Sequence, residues 1–335
     1  CELEAEDLDG CTAFLFACNQ GHAQCMQLLV EAGCETAATD KANANALMHA
    51  AVSGEPKAVR AALAAGWCEL EAKDHGGRTA FLLACNQGHA QCMHLLAEAG
   101  CDTAETDKDC ANALMQAAIS GEPKAVRAAL AAGWCGLEAR DLGGSTAFLL
   151  ACNKGHLECM RVIADAGCNT AATDNRRVNA LVHAVISRVP EAVRAALAAG
   201  WCALEDTNRY GDTAFLYACR GRSLEFIQVL EEAGCDTAAR NSVDGSNAMG
   251  LARACGNTAA VQWLRELTAK RRAAALQQEA RKLLASGKLL EAQSVTEKAA
   301  YLLPESTALA HLRDEIQRAL AQHYADREHR AQIAE

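Results

Sequence analysis

Cys18, His22 and Cys25 stand in a C-x3-H-x2-C spacing that returns as Cys85/His89/Cys92 and Cys152/His156/Cys159. Two chemistries could use it. Thiolates and imidazoles at short spacing can hold a tetrahedral metal, and a thiol beside a histidine can become an activated nucleophile when a third group orients the base. The recurrence argues against both. A nucleophile is needed once, with a distinctive partner, whereas this pair is copied without one. Cys18 falls at a small core position and Cys25 at an inward helix position, so packing explains each residue. No Gly-rich phosphate loop, no G-x-S-x-G and no H-E-x-x-H occurs. The chain is therefore expected to hold no catalytic residue, no metal and no cofactor.

The elements that carry these residues repeat. Asp7–Lys73 returns as Asp74–Arg140 with 53 of 67 positions identical, again from Asp141, and a fourth time from Asn208. Each 67-residue unit divides into an odd and an even half, with starts near 7, 40, 74, 107, 141, 174, 208 and 241. Thr12 and Asn45 suit helix N-caps, Pro56 suits a first helical turn, and Gly33 and Gly66 suit left-handed caps. Every half reads as a turn, a short apolar helix, a Gly-containing loop, a second apolar helix and a terminal Gly, as in Asp7–Cys34 and Asp40–Gly66.

That pattern resembles the ankyrin repeat, whose period is about 33 residues. The resemblance covers residues 1 to about 272 in eight copies, with 1–6 as the end of a truncated upstream repeat. It implies an all-α solenoid of stacked helix-turn-helix units with short finger loops. The family's T-P-L-H becomes T-A-F-L (Thr12–Leu15) or N-A-L-M (Asn45–Met48), so the proline and the bracing histidine are gone. Lower stability per repeat is expected. Trp67, Trp134 and Trp201 follow the even-type glycines and are read as plugs between stacked repeats, the rival reading being an exposed ladder.

The copy at 241–272 has a more charged second helix, which suits a terminal cap. Residues 273–335 are expected to form helices over Leu276–Ser286, Leu289–Leu302 and Thr307–Tyr324. Gly287, Ala292, Ala299 and Pro304 resemble a tetratricopeptide repeat, with Thr296 in place of the usual aromatic. A helical cap on the last ankyrin-like repeat is the favoured alternative, because one such repeat cannot bury its own face.

Composition narrows the partners. Net charge is −10 and aromatics make up 4%, which argues against nucleic acid, since backbone binding wants a basic surface and single strands want stacking platforms. No apolar run reaches 18 residues, so no membrane insertion is expected. Of 18 cysteines, fifteen recur in register, among them Cys1, Cys68, Cys135 and Cys202, and Cys34, Cys101, Cys168 and Cys235. Equivalent positions roughly 8–10 Å apart exceed the reach of a disulfide. The thiols are thus expected to act as small buried hydrophobes in a reducing intracellular compartment, cytosolic or organellar.

Function is expected at the concave face and finger tips, where the resemblance implies protein contacts, with no small-molecule substrate. Of the 14 differences between the first two 67-residue units, eight lie there: Leu8/His75, Asp9/Gly76, Cys11/Arg78, Phe16/Leu83, Ala42/Asp109, Asn43/Cys110, His49/Gln116 and Val52/Ile119. His75, Arg78, Phe16, His49 and Gln116 are candidate partner contacts on that ground. Later repeats carry a basic-aromatic set: Arg176, Arg177 and Val178, then Arg209, Tyr210 and Asp212, then Tyr217 and Arg220. Tyr and Arg are enriched at binding hot spots. The leading expectation is a non-enzymatic scaffold, either on its own or as a subunit of a larger assembly. The alternatives are the substrate-recognition arm of a larger enzyme, such as a ubiquitin ligase or kinase, and a thiol sensor using Cys11, Cys110 and Cys255.

Overall fold

The computed structural model describes residues 2–67, 69–221 and 223–334, with side chains to residue 329; Cys1 and Cys68 lie outside the described residues. The chain divides into two compact units, Cys1–Ala218 with Ser223–Asn247, and Cys219–Arg222 with Ala248–Glu335.

Each repeat opens on a turn held by its own first residue. Asp40 Oδ1 accepts from the N–H groups of Ala42 and Ala44 at 2.9 and 2.7 Å. Asp7, Asp74, Asp107 and Asp174 bond the residues two and four further on in the same way, and Asn208 does so with its amide oxygen. A carboxylate that bonds its downstream backbone fixes a turn without proline. Thr12 and Asn45 then cap the first helices by accepting from Leu15 N and Met48 N. Thr79, Asn112, Thr146 and Asn179 repeat this arrangement.

The resulting helix pairs of the first unit are α1 (Ala13–Asn19) and α2 (Ala23–Glu31), α3 (Ala46–Ser53) and α4 (Pro56–Ala65), α5 (Ala80–Gln87) and α6 (Ala90–Glu98), and α7 (Ala113–Ser120) and α8 (Pro123–Ala132). They continue as α9 (Ala147–Lys154) and α10 (Leu157–Asp165), then α11 (Ala180–Ser187) and α12 (Pro190–Ala198), then α13 (Ala214–Arg220), whose last two residues count with the second unit, and α14 (Leu224–Glu232). Pro56, Pro123 and Pro190 occupy the first helical turn, where their missing N–H costs nothing. The substantial helix contacts join partners within a repeat, or like helices of neighbouring repeats: α1 with α3, α3 with α5, and α2 with α4. That is the quasi-one-dimensional packing of a solenoid.

The spine of the first unit is apolar. Phe14, Phe81, Phe148 and Phe215 are fully buried, as are Leu15, Leu47, Leu82 and Leu114. Trp67, Trp134 and Trp201 are half-buried and meet Phe14, Phe81 and Phe148 edge-on, with centroids 5.2, 5.1 and 5.1 Å apart. Each tryptophan follows the second helix of one repeat and rests on the first helix of the repeat before it. It therefore works as the expected plug, worth about 0.5–1.5 kcal/mol beyond its buried area. The bracing tied to the lost T-P-L-H histidine is supplied elsewhere. His89 and His156, in the Gly-His loops, donate through Nε2 to the carbonyls of Val52 and Ile119 in the preceding repeat, both at 3.1 Å.

The cysteines divide as their neighbours dictate. Cys18, Cys85, Cys152 and Cys219 are fully buried. Cys92 and Cys159 are buried, but Cys25 is exposed. Its inward assignment is corrected: the helix before α6 or α10 covers the equivalent thiol, and no helix of the described residues lies on that side of α2.

The second unit contains α15 (Ala248–Ala254), α16 (Thr258–Ala285), α17 (Leu289–Leu302) and α18 (Thr307–Ala334). The helix expected to end near 272 does not; α16 runs through that position. Ala280, Ala292, Leu312, Ile316 and Leu320 form one apolar cluster among α16, α17 and α18, and Ala273, Ala299 and Leu309 form another. Thr296, standing where an aromatic was expected, is buried and returns its hydroxyl to the Ala292 carbonyl at 2.8 Å.

Candidate functional site

Neighbouring fingers are joined by one backbone hydrogen bond each. Lys41 N donates to Asp9 O, His75 N to Ala42 O, Leu142 N to Asp109 O, and Arg209 N to Arg176 O, at 2.8–2.9 Å. This ladder lines up residues about 33 apart in sequence, so the variable tip positions form one continuous strip.

At its later end the strip is basic and aromatic. The Arg209–Arg176 bond sets the sixth and seventh finger tips side by side, with Arg176, Arg177, Arg209 and Tyr210 all exposed. Arg209 lies over the Tyr210 ring, its Cζ 5.5 Å from the centroid, a cation–π approach that preorganises both groups. Val178 and Asp212 do not join them. Val178 closes its turn and is buried. Asp212 is buried and accepts from Asn241 Nδ2 at 2.6 Å. Both are corrected from contact residues to supports beneath the tips. Tyr217 is half-buried on α13, and Arg220 is half-buried at its end.

The earlier candidates fall into one register. Phe16, His49, Gln116 and Tyr217 each donate their N–H to the carbonyl of the N-cap four residues before, as do Leu83, Leu150 and His183. Their side chains do not share one fate. Phe16 is 55% exposed, and His75 is exposed at a tip. In the even repeats the side chain turns back to the aspartate that opens its own finger. Gln116 is buried, donates to Asp107 Oδ2 at 2.6 Å and accepts from Asn86 at 2.7 Å. It is corrected from a partner contact to a brace. His183, which sequence reasoning missed, is buried with Nε2 3.4 Å from Asp174 Oδ2 and Nδ1 3.1 Å from Asn153 Nδ2. Burial alone would raise the Asp174 pKa, but His183 and the N–H groups of Val178 and Arg176 hold it below its usual value. His49 has its Nε2 3.2 Å from Asp40 Oδ2, and burial lowers its pKa against the pull of Asp40. The signal that could have revealed these braces was the constant nine-residue spacing from Asp40, Asp107 and Asp174.

Arg78 is bound to Asp74, its Nε and one terminal nitrogen 2.8 and 2.7 Å from Oδ2. With Asp107, Asp109 and Gln116, and with Asp141 and Leu150 of the fifth repeat, it lines an open groove of 320 Å³. In the second and third copies of the Cys/His spacing the groups are engaged elsewhere. His89 and His156 are committed to backbone carbonyls, and the thiols beside them are buried. No helix among the described residues is long and apolar enough to cross a membrane. A family model described as ankyrin repeats matches the chain in three copies, over residues 1–74, 61–136 and 114–200.

Proposed function

The chain belongs to the ankyrin repeat family, and from that premise, which itself supports a protein–protein interaction role, we propose a non-enzymatic scaffold that captures an acidic segment of a partner protein at its sixth and seventh finger tips. The observation that carries the reading is the basic pair of tips. Three exposed arginines and one exposed tyrosine stand together on a chain of net charge −10, and their fingers are locked in register by the Arg209–Arg176 backbone bond. Arginine offers a planar fork to carboxylates, and tyrosine gives contact area at low entropic cost. Partner carboxylates would meet the guanidinium groups of Arg176, Arg177 and Arg209 while an apolar side chain rests on Tyr210.

Fluorescence anisotropy against a panel of Asp/Glu-rich peptides tests this. Expected is binding that weakens with added salt and is lost when Arg176, Arg209 and Tyr210 are changed together to Ala. Undiminished binding by that triple variant, or equal affinity for neutral peptides, sinks the reading.

A further inference from the structure

We propose that Cys11, Asp40 and His49 form a zinc-binding site at the junction of the first and second repeats. A thiol sulfur, a carboxylate oxygen and a ring nitrogen there lie within 4.8 Å of one another. These are the three donor types zinc accepts, at bond lengths of about 2.0–2.3 Å, which set tetrahedral ligand atoms ~3.3–3.8 Å apart. Small side-chain rotations close that gap.

The donors are held from three directions. Cys11 ends the first finger, its N–H fixed by Asp7 Oδ1 at 2.9 Å. Asp40 opens the second finger; its Oδ1 is spent on Ala42 and Ala44, which leaves Oδ2 facing His49. His49 sits in the first turn of α3. Its Nε2 is 3.2 Å from Asp40 Oδ2 but outside hydrogen-bonding alignment, and it is buried without a partner. A buried ring nitrogen left unsatisfied beside a free carboxylate oxygen and a thiol calls for a group that bonds all three. A cation does so, displacing the thiol proton to solvent with no change of oxidation state.

The later repeats supply the comparison. The equivalent trio at the next odd–even junction is Arg78, Asp107 and Gln116, where Gln116 bonds Asp107 directly and Arg78 is paired with Asp74. The third is Ser145, Asp174 and His183. There Asn153 donates to His183 Nδ1, which places the ring proton on Nε2; that nitrogen stands 3.4 Å from Asp174 Oδ2 and, like His49 Nε2, is buried without a hydrogen-bond partner. No hydrogen bond among the described residues ties Asn19 to His49 in that manner, so nothing on the Nδ1 side fixes the ring proton to Nε2, and the ring is free to offer the Nε2 lone pair to a cation. The second of these junctions thus closes with hydrogen bonds, the third leaves the same ring nitrogen unsatisfied, and the first adds a thiol to the carboxylate and imidazole. Three protein donors leave the fourth tetrahedral position to water or to an incoming side chain.

The experiment uses the full chain, reduced and stripped of metal, titrated with Co2+ and then Zn2+. Expected is one equivalent of cobalt giving a thiolate-to-metal charge-transfer band and four-coordinate visible bands, both bleached by zinc. C11S and H49Q each lower zinc affinity on the order of 100-fold, at least the loss that disturbing an outer-shell residue causes, while circular dichroism stays that of the wild type. R78C combined with Q116H, placed far from the first junction, raises the stoichiometry from one to two. Absence of the charge-transfer band in the wild-type chain overturns the proposal. So does zinc binding that C11S and H49Q leave unchanged, because other thiols would then hold the metal.

Discussion

Cys110 stands at φ +60, in the left-handed region, at the tip of the fourth finger. The odd fingers put glycine at this register, with Gly10, Gly77, Gly144 and Gly211 at φ +77 to +81. The even fingers put Asn43, Cys110 and Arg177 there instead. Asn tolerates that backbone; a β-carbon on Cys or Arg costs about 1–2 kcal/mol. Arg188 is strained in the same way at φ +62, capping α11 where Gly54 and Gly121 cap α3 and α7. Cys110→Gly and Arg188→Gly should each stabilise the chain by ~0.5–1 kcal/mol, the relief being partly offset by the freer unfolded chain. A urea midpoint that rises at constant m would show it; an unchanged or lowered midpoint would refute it. The sequence marked Cys110 as out of register, yet as a reactive thiol. Its backbone demand becomes visible only when odd and even halves are aligned to each other, because a positive φ leaves no trace in the identity of a non-glycine residue. Phe16, His75, Arg176, Arg177, Arg209 and Tyr210 were legible as exposed because tip and first-turn positions follow directly from the period. Gln116, Val178 and Asp212 were not, because burial there depends on which carboxylate or turn receives the side chain.

At the scale of the element, the Gly-His loop is the device that locks one helix pair to the next. His156 reaches back to Ile119 O at 3.1 Å and passes over Gly121. A β-carbon built on Gly121 would sit 2.7 Å from His156 Cε1, on a backbone already at φ +81. Gly121→Ala must therefore expel the ring as well as strain the turn. His156→Ala alone should cost about 1 kcal/mol for the lost hydrogen bond. Gly121→Ala should cost more, and the double variant less than the sum, because once the ring is gone only the backbone strain remains. A denaturation double-mutant cycle measures the coupling, and strict additivity would show that the ring and the glycine do not communicate. The loop glycine and histidine were both apparent in the sequence, as was the helix break they mark. The direction of the bond was not, since it runs between residues 37 apart.

Over the whole molecule the period made the architecture readable, and the place where it failed is instructive. The pattern changes near residue 273, but nothing between Gly256 and Gly287 can stop a helix, and α16 runs uninterrupted from Thr258 to Ala285. A change of repeat is a change of packing partner, while a helix ends only where a cap or breaker ends it. The same regularity multiplies a titration. Burial pushes the thiols of Cys92 and Cys159 up to about 11 and that of Cys101 to about 12, from an ordinary 9.0. Cys85 and Cys152, fully buried, are raised well above the ordinary value by the same cause. Above pH 9 the unfolded chain releases these protons and the folded chain keeps them. The folded state then binds more protons, so stability must fall as pH rises from 9 toward the folded values. Each thiol contributes at most about 1.4 kcal/mol per pH unit, and the contributions add along the stack. Under constant reductant, the urea midpoint should hold nearly level from pH 7 to the ordinary thiol value and then drop steeply. Replacing Cys85 and Cys152 together by Ala should shallow that drop even as it lowers the midpoint at neutral pH through lost packing. A decline equally steep in the double variant would assign alkaline sensitivity to groups other than the buried thiols, and would remove the repeated cysteines as its source.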